Sequence, residues 1–223
     1  MGFLEEALAL EGQIPDTMLA NLFNHLAIHH GHRYKNEEAR DNFQRAFDLM
    51  EGAPRRQAII ARNLGLILKD LGEFDAALAT FEAARALHDS LGDSRQLAMD
   101  FCALSSLHAR DERVKEAITY YNRGLDLFDL NNERERVSYW VEQVNLGFIY
   151  IDSGQNEFAE TLFRSSANGL EEAGRTAQSV QARVNLINAL LFQNKLDETE
   201  AEFARIEALD WEPSPTLVVH RGR

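Results

Sequence analysis

Cysteine and basic side chains are scarce in this sequence, and each scarcity excludes a class of protein. The single cysteine, Cys102, has no partner for an internal disulfide, so a disulfide-bonded secreted scaffold is excluded. The 23 Lys and Arg residues are outnumbered by 36 Asp and Glu, which gives a net charge of −13. Such a charge opposes nucleic-acid phosphates and anionic membrane surfaces. We therefore expect no nucleic-acid or membrane partner for this segment.

Long apolar runs and targeting signals are also absent from the sequence. No apolar run approaches the roughly 18 residues that a membrane-spanning helix needs. Glu5 and Glu6 stand where a secretory signal would carry basic residues. Because 45% of the 223 residues are apolar, the chain has enough material for a core. These features predict a folded, soluble and cytoplasmic protein.

Motifs for catalysis and cofactor binding are missing as well. The sequence contains no P-loop, no GxSxG elbow, no zinc-ribbon cysteine set and no GxGxxG turn after a strand. Cys102 lies beside Phe101 on a predicted helix, with no neighbouring group that would activate its thiol. The acidic residues recur on polar helix faces and form no catalytic pair. We therefore predict a protein that is not an enzyme and needs no cofactor.

What the sequence does contain is one spacing that occurs five times. A small residue, directly preceded by leucine, is followed by a second small residue after 12 positions and by an aromatic residue after 16; the last set has larger residues at both small positions. The sets are Ala27/Ala39/Phe43, Gly65/Ala77/Phe81, Ser105/Ala117/Tyr121, Gly147/Ala159/Phe163 and Ile187/Thr199/Phe203. The leucines are 38, 40, 42 and 40 residues apart. A period of about 40 is typical of a solenoid of supersecondary units.

Each period predicts two helices joined by a short turn. In the second period, apolar residues recur at helical spacing over residues 55–70 and again over 74–88. Small side chains allow the two helices to approach closely, so Gly65 and Ala77 are expected to mark their crossing, with Phe81 filling space toward the next unit. The turn position between the helices is occupied in successive periods by Tyr34, Gly72, Glu112, Gly154 and Asn194.

The junctions between periods also carry helix-ending residues. Gly92, Asn132 and Gly174 each lie eleven residues after the aromatic position. Glycine and asparagine accept the left-handed backbone conformation that closes a helix, so we predict it at all three. Ser94 and Thr176 follow, and we predict that they cap the next helices.

The segment NLGLILKDLGEFDAALATFEAARAL resembles the tetratricopeptide repeat (TPR), in which Leu and a small residue on one helix face Ala and an aromatic on the next. The resemblance covers roughly residues 17–210, and the period is nearer 40 than the common 34. It is similar to the longer repeats of kinesin light chains, Leu-Gly-Asn-type polarity adaptors and bacterial peptide-sensing or transcriptional regulators. The resemblance implies an all-α, right-handed superhelix of about five helix-turn-helix repeats.

The repeat register divides the chain into three parts. We predict a repeat-like or capping helix at residues 1–16, a solenoid at 17–210 and an irregular tail or linker at 211–223. Phe3 precedes Leu26 by the same 23 residues that separate Phe163 from Leu186, so the chain opens inside a repeat-like helix, which is either a cap or part of a longer array. The predicted repeats are residues 17–53, 54–93, 94–133, 134–175 and 176–210.

The resemblance also implies that the first helices of successive repeats line a concave groove for a peptide or helix. Three asparagines that directly precede the marker leucines, Asn63, Asn145 and Asn185, are then expected in this groove. A ladder of amides would clamp the backbone of an extended peptide; the alternative is that they bond within the solenoid. The other predicted groove residues are Arg62, Lys69, Arg110, Leu66, Val144, Phe148 and Ile151.

The predicted groove is part cationic and part apolar within an acidic chain. A protein or peptide partner with acidic and apolar anchor residues fits such a groove, unless the long cationic side chains merely solvate a face. We predict a noncatalytic scaffold or adaptor that recognises a peptide or helical segment. The alternative is a sensor or regulatory domain of a larger transcriptional or signalling regulator, and self-association is a third use, because solenoids have exposed edges.

A histidine cluster, NHLAIHHGH, lies in the first period. His25 and His29 are four residues apart and share a helical face, so they are the pair that would bind a metal such as zinc. No HExxH motif and no nearby cysteine accompanies them. A surface or groove histidine set is favoured, and no metal site is predicted.

Overall fold

The computed structural model describes residues 12–110 and 113–209, and within these ranges it contains ten helices and no strand. The predicted N-terminal helix at 1–16 lies largely outside the described residues, and the predicted tail at 211–223 lies wholly outside them. The helices are α1 (Asp16–Gly31), α2 (Asn36–Leu49), α3 (Pro54–Leu71), α4 (Phe74–Ser90), α5 (Ser94–Arg110), α6 (Val114–Leu125), α7 (Glu133–Asp152), α8 (Asn156–Glu172), α9 (Thr176–Phe192) and α10 (Leu196–Ala208).

The helices form two compact units, each with the same internal packing. The N-terminal unit extends to Leu127 and contains α1–α6; the C-terminal unit begins at Phe128 and contains α7–α10. Helices pack in consecutive pairs (α1 on α2, α3 on α4, α5 on α6; α7 on α8, α9 on α10), and α2, α4 and α8 also pack on the helix that follows. First helices of neighbouring pairs touch as well, α3 with α5 and α7 with α9. The predicted all-α repeat architecture is confirmed for the described residues.

The small residue of the first helix makes room for the aromatic residue of the same pair. A methyl group added at Gly65 would lie 2.6 Å from the Phe81 ring, and one at Gly147 would lie 2.5 Å from the Phe163 ring. Phe81 also belongs to the buried cluster that contains Leu104 of the next pair. The ring therefore fills both the crossing within its pair and the space toward the neighbour.

In the third pair a serine replaces glycine at this position. The Ser105 hydroxyl donates a hydrogen bond to the Ala117 carbonyl oxygen at 2.6 Å, and both residues are buried. Because a buried hydroxyl without a partner is costly, this bond explains how the crossing accepts Ser105.

The turn within a pair requires a left-handed residue, whatever its type. Gly72 and Gly154 have φ of 81° and 75°, and the residues at the same position in the first and last pairs, Tyr34 and Asn194, both have φ of 58°. Asparagine adopts this conformation more readily than most residues. Tyr34 adopts it with an exposed side chain. Glu112, at the matching position, lies outside the described residues.

Two of the three predicted left-handed helix ends are confirmed and one is wrong. Gly92 and Gly174 have φ of 64° and 67°. Asn132 instead has φ of −83° and is the N-cap of α7, where its side chain accepts hydrogen bonds from the backbone N–H groups of Arg134 and Glu135. The amide thus serves the helix that follows it, a role that asparagine fills as well as helix closure.

The predicted caps at Ser94 and Thr176 are also wrong by one residue. Both are the first residues of their helices, α5 and α9. Asp93 accepts the capping bond from the Gln96 N–H at 3.3 Å, and α9 begins after Arg175 without a side-chain cap. Each of these two helices therefore begins one residue earlier than the sequence predicts.

Each unit also contains a buried ionic network that joins neighbouring pairs. In the N-terminal unit, the fully buried Asp100 carboxylate accepts from Arg62 Nη1 at 3.0 Å and lies 2.5 Å from His88 Nδ1. In the C-terminal unit, the buried Arg183 guanidinium donates to Glu202 at 2.7 Å and also to Glu171. Polar bonds thus reinforce the apolar stacking of each unit.

Candidate functional site

The predicted groove residues all lie on first helices of their pairs. In the N-terminal unit they occupy α3, except for Arg110, which is the last residue of α5. In the C-terminal unit they occupy α7, except for Asn185 on α9. We refer to the sides of these helices that carry the predicted residues as the N-terminal face and the C-terminal face.

Arg62, predicted as a cationic groove residue, is engaged inside the N-terminal unit. Its side chain is 12% exposed and donates to Asp100 Oδ1 at 3.0 Å, to Gln96 Oε1 at 2.7 Å and to the Gln96 carbonyl at 3.3 Å. The guanidinium thus links α3 to α5. The sequence contains a signal for this pair, since Arg62 and Asp100 are opposite charges separated by 38 residues, close to one repeat.

Lys69, Ser106 and Arg110 come together on the N-terminal face. Lys69 Nζ donates to the Ser106 hydroxyl at 3.3 Å, and Ser106 in turn donates to the Ala103 carbonyl at 2.8 Å. Burial lowers the pKa of Lys69, the charge of Asp70 opposes this shift, and the charge of Arg110 adds to it. Two cations therefore lie near each other, and one of them is partly withdrawn from water. Arg110 itself is exposed.

The remaining residues of this face are less accessible. Asn63 and Leu66 are both partly buried. Leu66 packs against the main apolar cluster of the unit. The N-terminal face therefore offers mainly Lys69 and Arg110 to an incoming group.

The C-terminal face has an apolar stripe on α7. Val144, Phe148 and Ile151 are spaced at i, i+4 and i+7, so they share one side of the helix. Phe148 is 45% exposed, and its ring packs edge-on against the buried Phe163 at 5.5 Å between centroids. Val144 and Ile151 are partly buried against the same apolar cluster. The stripe thus has an accessible aromatic that packs on a buried apolar cluster.

The asparagines of the predicted ladder differ in access. Asn145 is exposed, and its amide donates to Glu142 Oε2 at 3.2 Å. Asn185 is 6% exposed, and its Oδ1 accepts from Gln181 Nε2 at 3.4 Å. Asn185 therefore bonds within the unit, which is the alternative that the sequence left open for it, and an amide ladder remains a prediction.

Two of the three histidines of α1 lie at the surface, and His30 is partly buried. His25 and His29 are exposed, and the His29 and His30 rings meet edge-on at 6.1 Å between centroids. Within residues 12–110 and 113–209, no three His, Cys, Asp or Glu residues are grouped so that they could hold a metal ion. Cys102, the single cysteine of the sequence, is buried. In the same ranges no helix is long and apolar enough to cross a bilayer.

Stacked helix pairs with glycine–aromatic crossings define a repeat protein of the α-solenoid class. The family model of the tetratricopeptide repeat matches residues 17–87 and 56–129, just over half of the chain. The chain therefore belongs to the tetratricopeptide repeat family, whose members are typically noncatalytic scaffolds. That it belongs to the long-repeat subclass remains a prediction. No curated protein sequence matches the chain.

Solved structures with little sequence identity share this fold. BtubC (BKLC) from P. vanneervenii superimposes with a TM-score of 0.72 at 19% identity, covering 95% of this chain and 90% of that one. A Rap protein complexed with competence and sporulation factor gives 0.72 at 15%, over 92% and 57%. A putative kinesin light chain of Podosopora anserina with nearly identical TPR-like repeats gives 0.69 at 14%, over 87% and 95%.

Proposed function

We propose that the chain is a noncatalytic adaptor or scaffold that binds a peptide or helical segment of another protein on its first-helix faces. The observation that carries this proposal is the half-buried ammonium group of Lys69 beside the exposed Arg110. The Rap protein of similar fold that is complexed with competence and sporulation factor supports a protein or peptide as the type of partner.

An acidic group is the anchor that suits the N-terminal face. The Lys69 ammonium donates a hydrogen bond to the neutral hydroxyl of Ser106, while burial and the charge of Arg110 both lower the pKa of Lys69. A carboxylate placed beside Lys69 would favour its charged form and offset this cost. Charge-assisted bonds of this kind also fix the orientation of a bound segment. An acidic residue of the partner is therefore expected here.

An apolar side chain is the anchor that suits the C-terminal face. Phe148 is exposed, and Asn145 beside it offers an amide that can bond a peptide backbone. Partly exposed aromatic residues on a rigid base supply much of the affinity at protein interfaces. Each face is proposed to bind its own anchor, and the two are tested separately.

Peptides selected from a random display library against the full chain provide the probe for this proposal. We expect selected peptides to combine acidic with apolar residues. Lys69→Gln should weaken their binding about tenfold, which corresponds to the loss of one partly desolvated charge pair. Lys115→Gln is the matched control, because Lys115 is an exposed lysine on the second helix α6 of the same unit.

The C-terminal face has an equivalent pair of variants. Phe148→Ala should weaken binding of selected peptides that depend on an apolar residue, whether or not Lys69→Gln affects them, and Phe158→Ala, which removes an exposed phenylalanine from the second helix α8, should not. Fluorescence anisotropy measures all four variants. Selected peptides without acidic residues, or equal losses from the face and control variants, would show that the first-helix faces are not the binding surface.

A further inference from the structure

The aromatic position of the repeat is buried in four pairs and exposed in the last. Phe43, Phe81, Tyr121 and Phe163 are 3%, 0%, 3% and 1% exposed, whereas Phe203 on α10 is 51% exposed. An exposed aromatic at a position that is otherwise buried indicates a surface built to be covered.

The preceding pair of the same unit shows what covers such a position. Phe163 on α8 packs against Leu186 and Leu190, two leucines one turn apart on α9. Beside this contact, Glu160 of α8 accepts hydrogen bonds from Lys195 Nζ at 2.7 Å and from Gln193 Nε2 at 3.0 Å. The covering element is thus a helix that presents two leucines one turn apart, and Lys195 follows beyond its end at Phe192 and the left-handed turn at Asn194.

The last helix, α10, carries residues equivalent to those with which α8 contacts α9. Phe203 and Glu200 lie 40 residues after Phe163 and Glu160. Leu196, Glu200, Phe203 and Glu207 are spaced at i, i+4, i+7 and i+11, so they form one stripe along α10, and all four are exposed. We call these four residues the α10 stripe.

We propose that the α10 stripe is a docking site for an amphipathic helix of a partner protein, one that presents two leucine-like residues a turn apart and carries a lysine or arginine in the turn just beyond its C-terminal end. The leucine-like residues cover Phe203, and the basic residue pairs with Glu200 as Lys195 pairs with Glu160. This surface is on a second helix, so it is separate from the first-helix faces proposed above.

The charges of the stripe decide between a foreign helix and a second copy of this chain. Glu200 and Glu207 flank Phe203, and the whole chain carries a net charge of −13. Two copies meeting through their stripes would bring these carboxylates together, which is unfavourable. A basic amphipathic helix meets the same carboxylates with opposite charge, so it is the occupant that the stripe favours.

A peptide copied from residues 176–195 is a probe with this chemistry, because it comprises α9 and Lys195. We expect the fluorescein-labelled peptide to bind the full chain saturably in an anisotropy titration. Phe203→Ala should weaken binding about tenfold or more, as expected for an aromatic anchor. Glu200→Lys should weaken it as well and make it less sensitive to salt.

Matched controls distinguish binding at the α10 stripe from nonspecific binding. The protein variant Phe192→Ala removes a phenylalanine that is more exposed than Phe203 and lies outside the stripe, so it should bind the peptide like wild type. A peptide with Leu186→Asp and Leu190→Asp should not bind. Circular dichroism of each protein variant should match wild type, because the altered side chains are exposed.

Three outcomes would overturn the proposal. Equal binding by wild type, Phe203→Ala and Glu200→Lys would place the peptide elsewhere, for instance on Phe163 after displacing α9. A wild-type dimer in sedimentation that Phe203→Ala converts to monomer would make a second copy the occupant. Binding of the peptide only after proteolytic removal of residues 210–223 would make the chain's own tail the occupant.

Discussion

The two units use opposite charges for the same structural task. In the N-terminal unit the buried ion that joins neighbouring pairs is an acid, Asp100, held between Arg62 and His88. In the C-terminal unit it is a base, Arg183, held by Glu202 and Glu171. The two ions occupy different repeat positions, since Asp100 lies four residues before Leu104 and Arg183 three residues before Leu186. The units therefore reached a buried polar junction with different residues and different charges.

The two networks also differ in redundancy. Glu202 is bonded to Arg164 at 3.2 Å as well as to Arg183, and Arg164 bonds Glu160 and Glu198 in addition. In the N-terminal unit, in contrast, the carboxylate that bonds the Arg62 guanidinium is that of Asp100. The other hydrogen bonds of Arg62 go to the uncharged Gln96. Removal of one member should thus be more damaging in the N-terminal unit.

The largest expected effect follows from Asp100→Ala. The substitution leaves the Arg62 guanidinium buried without a counter-ion, and breaking a buried pair in this way costs about 3–5 kcal/mol. Urea unfolding followed by circular dichroism measures the loss. Glu202→Ala is the comparison, and it should cost less, about 1–3 kcal/mol, because Arg183 keeps Glu171. Equal losses from the two variants would contradict the difference in redundancy.

A smaller effect is expected from filling the glycine crossings, and here the units should behave alike. Gly65→Ala and Gly147→Ala place a methyl group against Phe81 and Phe163 at nearly equal distances of 2.6 and 2.5 Å. Overpacking of this kind costs about 1–3 kcal/mol. Ala86→Ser, at an exposed position of α4, should change stability by less than about 0.5 kcal/mol. Thermal melts that show no loss for either glycine variant would argue against rigid crossings.

The smallest effect is a difference in pH dependence between the two networks. Burial raises the pKa of Asp100 despite its bonds to Arg62 and His88. Burial also acts to raise the pKa of Glu160, but bonds from Lys195, Arg164 and Gln193 outweigh it and leave the pKa lowered. The unfolded values are about 3.9 for Asp and 4.3 for Glu.

These shifts give stability changes of opposite sign. The stability that Asp100 contributes is present in acid and is lost as pH rises from about 3.9 through its raised folded pKa. The stability that Glu160 contributes is present above about 4.3 and is lost as pH falls through its lowered folded pKa. Urea unfolding at several pH values compares wild type with Asp100→Asn and Glu160→Gln. On acidification, the advantage of wild type should grow over the first variant and shrink over the second; parallel curves would contradict the assignment.

The repeat and its turns could be read from the sequence because they depend on residues close along the chain. The spacing of Gly65, Ala77 and Phe81 is local, and the turn position that follows α3 accepts few backbone conformations, so both predictions were confirmed. Asn132 shows where prediction from the sequence fails. An asparagine between two helices satisfies either the helix that ends or the helix that begins, and the sequence alone does not choose between them.

The candidate site was less predictable because it depends on neighbours one repeat away. Arg62 and Asn185 occupy groove positions by sequence, yet one is bonded to Asp100 and the other is buried against its own helix. Burial of a polar side chain is decided by the size and charge of the residues on the adjacent helix. Lys69 is partly exposed and Phe148 is 45% exposed, although both occupy the same kind of first-helix position as the buried Asn185.

The Asp100 network has a consequence for the order in which helices assemble. Repeats that share their apolar positions invite docking against a wrong neighbour, a known hazard of repeat proteins. The position of Arg62, two residues before the marker leucine, holds Asn24 in the first repeat and Cys102 in the third. A helix stacked out of sequence would bury Asp100 without its arginine, at a cost of about 3–5 kcal/mol. The ion pair therefore favours α3 over the other first helices of its unit as the neighbour of α5.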